Sequence, residues 1–249
     1  FSEAIAGICG GLLAEISLRL PWHVQVVVAA LIIPFTFMLV EPKVHKENRL
    51  PKKFKAIWQV VKFSLVENKV LKWLIILSSA VGFATLSLAW FAQPHFKSIN
   101  MPLKYFGFAW AFLNLITGFS SINAYRLQKF FSKNSFLILI SLGISIPIFL
   151  LSKSTAIMGL VMIGIVYLFR GFATPVMRTY INDITPSNMR ATVLSIRSFC
   201  IRATFAVIAP LMGWIADVYT LSQSFLLLSI IVGICGVLAS LKLKQLSNN

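Results

Sequence analysis

The chain has 249 residues, of which 58% are hydrophobic and only 12% are charged, and its mean hydropathy is +0.84. Soluble domains carry roughly a quarter charged residues, so this composition excludes an ordinary soluble globular protein. The net charge is +16, but most of the basic side chains lie between long apolar runs, which argues against a protein that binds nucleic acid.

Apolar runs long enough to cross a membrane follow one another along the sequence. A helix needs about 20 apolar residues to cross the hydrocarbon core, because every backbone amide must be bonded within the helix. The runs are too long and too uniformly apolar for a membrane β-barrel, whose segments alternate over roughly ten residues. We therefore predict an all-α integral membrane protein, with a Gly-rich first helix that is incomplete, and seven spans after it. In chain order the eight segments are 1–18, 22–40, 73–94, 105–125, 135–152, 155–176, 191–216 and 221–241.

The positions of Lys and Arg predict the orientation of these segments. If the C-terminus is cytoplasmic, sixteen basic residues lie at the inner ends of the spans and four lie at the outer ends. Short cytoplasmic connections of membrane proteins carry such an excess. We expect a multi-pass protein of a bacterial inner membrane with its C-terminus in the cytoplasm.

The connection 41–72 is the longest polar stretch of the chain. It contains apolar residues at helical spacing, with basic and polar residues on the other side, which predicts an amphipathic helix on the inner membrane surface. Each basic residue beside anionic lipid contributes about 1 kcal/mol to such binding. A solvated linker with incidental apolar residues is the alternative. The apolar positions are Phe54, Ile57, Trp58, Val61 and Leu65.

The sequence predicts neither a metal site nor a cofactor. Cys9, Cys200 and Cys235 lie in apolar runs without a CxxC spacing or a nearby His, so we expect inert, buried thiols. The three His residues are scattered over different connections and helix ends. A membrane-embedded enzyme that processes lipids is the alternative function, but it would need carboxylates, His or Cys that converge, so we expect no enzyme. The chain opens at Phe1 without Met or a leader, from which we expect a piece of a longer protein.

Several segments carry a family resemblance. The stretch 170–175, RGFATP, leads to 180–195, YINDITPSNMRATVLS, in which Thr185 can cap a helix and Pro186 fits its first position. This pattern is similar to the connection between helices ten and eleven of the major facilitator superfamily. The Gly-x-x-x-Asp ending at 213–217 also resembles that family, as do Glu41-Pro42, Ala6-Gly7 and Gly10-Gly11.

The resemblance implies the C-terminal part of a twelve-helix transporter. Residues 1–40 would be the last two helices of the N-terminal bundle, with the fifth helix incomplete, and 41–72 a basic cytoplasmic linker. Residues 73–249 would form the C-terminal six-helix bundle. The implied function is secondary active transport of small solutes by alternating access, without a cofactor. The implied partners are a small-molecule solute, membrane lipids and the missing N-terminal helices of the same protein.

Polar residues inside the predicted spans are candidates for binding the solute, because charges within a bilayer are costly and usually functional. Arg202 lies roughly 24 Å along its helix, too deep to snorkel easily, so we expect it to face a central cavity. Arg170 is expected four to six residues from the inner end of its helix, where it could also reach the headgroups. Trp90, Gln93 and Asn114 are further candidates, with contacts between helices as the alternative for each.

The acidic residues are unevenly distributed. No carboxylate occurs between Glu67 and Asp183, which favours an anionic or neutral solute over a cation. The resemblance suggests an inner-gate charge pair between Asp183 and Arg190, with a solvated loop as the alternative.

Three glycines of the first segment predict close helix packing. Gly7 and Gly11 form a GxxxG step, with Gly10 beside them, and small residues let membrane helices approach closely. In the family that this chain resembles, such a cluster can also serve as a rocking surface between the two bundles.

Overall fold

The computed structural model describes residues 2–40, 54–154 and 157–248. Over these ranges the regular structure is helical throughout, and nine α-helices follow one another. They are α1 (Ser2–Ile16), α2 (Leu20–Thr36), α3 (Phe54–Lys62), α4 (Lys69–Ser98), α5 (Leu103–Gln128), α6 (Lys133–Leu151), α7 (Ile157–Asp183), α8 (Arg190–Val218) and α9 (Leu221–Asn248).

Helices α4 to α9 are long and apolar enough to cross a membrane. Helix α2 is apolar but has only 17 residues, and α1 has 15. The predicted all-α membrane class is confirmed by these helices.

Local sequence explains where several helices begin and end. The side chain of Asn68 accepts a hydrogen bond from the amide of Leu71 at 2.9 Å and starts α4. Ser132 does the same for α6, accepting from the amide of Ser135 at 3.2 Å. Asn100 adopts a positive φ of 55° just after α4, a conformation that Asn tolerates better than most residues, so the chain turns back into α5 there.

Helix α4 is the central element of the bundle. It contacts α7, α8 and α9, while α5 lies along α7 and α6 lies along α9. Side chains of α4 fill the space between these neighbours and are fully buried, among them Leu71, Ile75, Leu77, Phe83 and Leu88. By contrast, α8 buries only Val193 and Met212, so most of its surface is open.

Helix α7 is longer at its inner end than the hydropathy pattern predicted. The predicted span stopped at residue 176, but the helix continues past Pro175 to Asp183. Its polar inner turns still bury an apolar face, which keeps them helical and packed: Ala173, Val176, Met177, Tyr180 and Ile181. The predicted position of Arg170 near the inner end of its helix is therefore wrong, because seven further helical residues follow residue 176.

Helix α3 lies within the connection that was predicted to hold an amphipathic helix. Val60 is fully buried and α3 contacts α8, whereas Trp58 is largely exposed. A π-helical turn at Phe63–Glu67 joins α3 to the extended residue Asn68. Residues 41–53 lie outside the described residues, so the features predicted there, including Glu41-Pro42, stay predictions.

Candidate functional site

Arg170 lies in the middle of a membrane-length helix. Thirteen residues of α7 precede it and thirteen follow it, which places it about 20 Å from either end at 1.5 Å per residue. The side chain is half-buried in the helix bundle. Charges within membrane-spanning helices mark solute pathways or structural ion pairs.

Arg170 lies against one member of an aromatic pair. Its guanidinium carbon lies 5.2 Å from the centroid of the Tyr167 ring. The Tyr167 ring in turn meets Trp110 of α5 edge-on, with 6.0 Å between the ring centroids. We call Arg170, Tyr167 and Trp110 the α5–α7 cluster. Cation–π contacts stabilise a guanidinium by about 0.5–2 kcal/mol, which offsets only part of the cost of placing it in a bilayer.

The phenol of Tyr167 is unusual for a buried polar group. Tyr167 is fully buried, and its hydroxyl has no hydrogen-bond partner among the described residues. Thr117 of α5 donates to the Tyr167 carbonyl at 3.2 Å, which fixes the backbone beside the ring. Buried polar groups are nearly always bonded, so an unpaired hydroxyl next to a charged group indicates a place for a polar ligand or water.

The other candidates do not converge with Arg170 into one hydrogen-bonded group. Asn114 of α5 donates to the carbonyl of Trp110 at 3.0 Å, within its own helix. Gln93 of α4 lines a cavity of about 360 Å³ between α1, α4 and α5, which Trp110 also lines but Arg170 and Tyr167 do not. Trp90 is 67% exposed and stands 6.4 Å, centroid to centroid, from Phe205 of α8.

Arg202 is well inside α8 but has an open setting. It follows the first residue of the helix by twelve positions, and its side chain is exposed. Among the described residues it makes neither a hydrogen bond nor an ion pair. Its part in binding a solute stays a prediction.

A second arginine of α8 bonds this helix to α4. Arg197 is half-buried and donates a hydrogen bond from Nε to the hydroxyl of Ser78 on α4. Ser78 is itself fully buried, so this bond joins the central helix to α8. The sequence offers only the serine itself, Ser78 on the buried face of α4. It does not indicate that Arg197, far along the chain, bonds to it.

The inner ends of α7 and α8 are joined through the backbone. The Nε of Arg190 donates to the carbonyls of Asn182 and Thr185 at 3.1 and 3.2 Å. Within the part of the chain that the structure describes, the sole ion pair within 4.0 Å is Lys62–Glu67, so Asp183 and Arg190 are not paired there. The structure thus shows Arg190 bonded to the carbonyls that end α7, and a gating role of the two residues stays a prediction.

Two of the three predicted packing glycines lie at a close crossing of α1 and α5. A Cβ added to Gly11 would come within 2.9 Å of the Cα of Gly107, and one added to Gly7 within 3.1 Å of the Trp110 ring. A Cβ on Gly107 would overlap the Gly7 carbonyl oxygen. Gly10 has no such neighbour within 4 Å. We call Gly7, Gly11 and Gly107 the glycine crossing; it places α1 against the helix that carries Trp110.

No cluster of three or more His, Cys, Asp or Glu that could hold a metal occurs in the ranges that the structure describes. Cys9, Cys200 and Cys235 are free, and Cys9 is exposed rather than buried, because α1 has few neighbours on that side. The prediction of a buried thiol is wrong at this position.

Comparison with known proteins gives one match. Residues 133–247, which include almost all of α6 to α9, match the family model described as Major Facilitator Superfamily. Neither the curated proteins nor the solved structures gave a match. With six helices of membrane-spanning length, the chain is an integral, multi-pass membrane protein, and its residues 133–247 are similar to the major facilitator superfamily.

Proposed function

We propose that this chain is part of a secondary active transporter that carries small solutes across the membrane by alternating access. The observation that carries the proposal is Arg170, a charge held in the middle of α7 beside a buried, unpaired phenol. A helix that only had to span lipid would not retain such groups, since they cost free energy in hydrocarbon. Solute sites of secondary transporters lie at this depth.

In this proposal two bodies move against each other. Residues 1–40 belong to the N-terminal body, residues 73–249 form the C-terminal body, and 41–72 is the cytoplasmic linker between them. The glycine crossing supports this division, because α1 meets α5 backbone to backbone there. A close contact made mainly by backbone atoms allows the helices to change their crossing angle with few rotamer changes.

The proposed orientation places the linker and the C-terminus in the cytoplasm of a bacterial cell. The excess of basic residues at the inner ends of the spans supports it. The linker helix α3 would then lie at the inner membrane surface, with Trp58 in contact with lipid. Lipids, the solute and the N-terminal helices of the same transporter are the proposed partners.

Flux measurements test the proposal. The protein is reconstituted into liposomes, and uptake is followed for a panel of anionic, neutral and cationic solutes. We expect saturable uptake of one class above that of empty liposomes. Gly107→Ala should lower the uptake rate about tenfold, because the new methyl group obstructs the crossing.

Gly10→Ala is the matched control for this experiment. Its added methyl group meets no atom within 4 Å, so we expect uptake at the rate of the unmodified chain. If no solute of any class enters above the background of empty liposomes, the transporter proposal is refuted.

A further inference from the structure

The guanidinium of Arg170 lacks a carboxylate partner. No Asp or Glu lies within 4.0 Å of it among the described residues. Glu3 on α1 is near enough to Tyr167 for its charge to act on that phenol, but it is exposed and forms no ion pair there. Buried charges in proteins are paired or are matched by a bound ion. Arg170 therefore has unused capacity for an anion.

The unpaired group beside it has the same chemical preference. A guanidinium has five donors and no acceptor, and the Tyr167 hydroxyl can donate to an acceptor placed next to it. The planar fork of an arginine matches the two oxygens of a carboxylate or the oxygens of a phosphate. A ligand that satisfies both groups must offer several acceptors at one place, which a neutral alcohol or an amine does not do.

An aromatic surface continues from Tyr167 to Trp110. The Trp110 ring meets the edge of Tyr167, and Gly7 of α1 lies against it. An ion that entered alone would leave this aromatic surface unused, whereas an organic anion would contact it. The aromatic surface therefore favours an organic anion over an inorganic one.

We propose that Arg170 and Tyr167 bind the carboxylate or phosphate of an organic anion, with Trp110 against its apolar part. This inference rests on the proposed transport function, in which that anion is the solute. The anion is thus bound by Arg170 of α7 and not by Arg202, the candidate from the sequence, which is exposed on α8. Glu3 opposes the bound anion by its like charge and so lowers the affinity.

Binding measurements test this site directly. The chain in lipid nanodiscs is titrated calorimetrically with benzoate and with benzamide, which has a similar shape but no charge. A second pair, glycerol 3-phosphate and glycerol, separates phosphate from carboxylate recognition. We expect at least one anion to bind and its neutral counterpart to bind about tenfold or more weakly.

Variants assign the selectivity to the cluster. Arg170→Gln should lower the affinity for the anion about 10- to 100-fold, as expected for the loss of charge-assisted hydrogen bonds. Arg170→Lys keeps the charge but loses the fork, and Tyr167→Phe loses one donor, so each should lower the affinity about 3- to 10-fold. Glu3→Gln should raise it. Arg178→Gln, an exposed arginine of the same helix, should leave it unchanged.

Three results would overturn the site. One is the absence of binding of either anion by the unmodified chain. Another is a folded Arg170→Gln variant that still prefers the anion to its neutral counterpart. If that variant does not fold, unchanged affinities in Arg170→Lys and Tyr167→Phe overturn the site equally.

Uptake by the same preparations in liposomes separates this inference from the transporter proposal. Arg170-dependent anion binding without any uptake supports the site and refutes transport. Uptake whose preference for anions is the same in the Arg170 variants supports transport and overturns the site.

Discussion

The glycine crossing gives the sharpest prediction, because backbone atoms surround the position that is changed. A Cβ on Gly107 would overlap the carbonyl oxygen of Gly7 and lie 3.0 Å from the Cα of Gly11. Backbone atoms cannot rotate away as a side chain can, so α1 must shift as a unit. Overpacking of this kind costs about 1–3 kcal/mol. Gly107→Ala should therefore favour detachment of α1 about 5- to 150-fold.

Trp110 reports on this crossing, since its ring lies against Gly7. The chain contains six tryptophans, so 5-fluorotryptophan would give six fluorine signals, and Trp110→Phe would identify the relevant one. In mixed micelles, increasing SDS separates α1 from α5 and shifts the fluorine resonance of Trp110. The SDS mole fraction at the midpoint of this shift measures the strength of the helix contact. We expect a lower mole fraction for Gly107→Ala than for the unmodified chain.

Gly10→Ala is again the control, one residue before the crossing. Its methyl group meets open space, and Ala favours a helix over Gly by about 0.5–1 kcal/mol, so the contact should be unchanged or slightly stronger. If Gly107→Ala and Gly10→Ala showed the same SDS mole fraction at the transition, the close approach of α1 and α5 would not limit their packing.

Two further predictions concern bonds between the helices. Ser78→Ala leaves the guanidinium of Arg197 without its acceptor and should lower the free energy of unfolding by about 1.5–3 kcal/mol, measured by SDS titration in mixed micelles. Arg190→Ala removes the bonds to the carbonyls of Asn182 and Thr185. Backbone amides in the connection between α7 and α8 should then exchange hydrogen for deuterium about 5- to 10-fold faster, as measured by mass spectrometry.

Each of these changes has a control on one of the helices that the bond joins. Ser195→Ala removes a hydroxyl that bonds only within α8, so its cost should stay below about 0.5 kcal/mol. A similar cost for Ser78→Ala would mean that the bond to Arg197 does not stabilise the bundle. Asp183→Asn should leave hydrogen exchange of the loop unchanged. Faster exchange in that variant would instead favour a charge pair with Arg190.

The sequence predicts the fold class well because lipid allows few alternatives. Runs of about 20 apolar residues must be helical, so the order of the six long helices follows from hydropathy, whereas the predicted span 22–40 is a helix of 17 residues. The same criterion misplaces helix ends. Helix α7 continues to Asp183 because Val176, Met177, Tyr180 and Ile181 still bury one face of a segment that is polar on average. A 3.6-residue periodicity in this stretch was the signal that could have revealed the extension.

The candidate site was predictable only in part. Composition alone identifies Arg170 as an intramembrane charge, but its depth depends on the correct end of α7. Trp110 lies far earlier in the chain, and its contact with Tyr167 depends on how α5 packs along α7. Gly107 is likewise far from Gly7 in the sequence, although the two residues are in contact in the structure. Such pairings are decided by tertiary packing, for which a single sequence gives no local signal.

The π-helical turn between α3 and α4 sets the rotational phase of the linker helix. Each residue of an α-helix turns the chain by about 100°, so deleting one residue from Phe63–Glu67 would swing α3 by roughly that angle. Val60 would leave its buried position, and the lysine-bearing side of α3 would face α8 in its place. A single-residue change in this short segment would thus reset which side of the linker helix meets the bundle, although every spanning helix kept its own sequence.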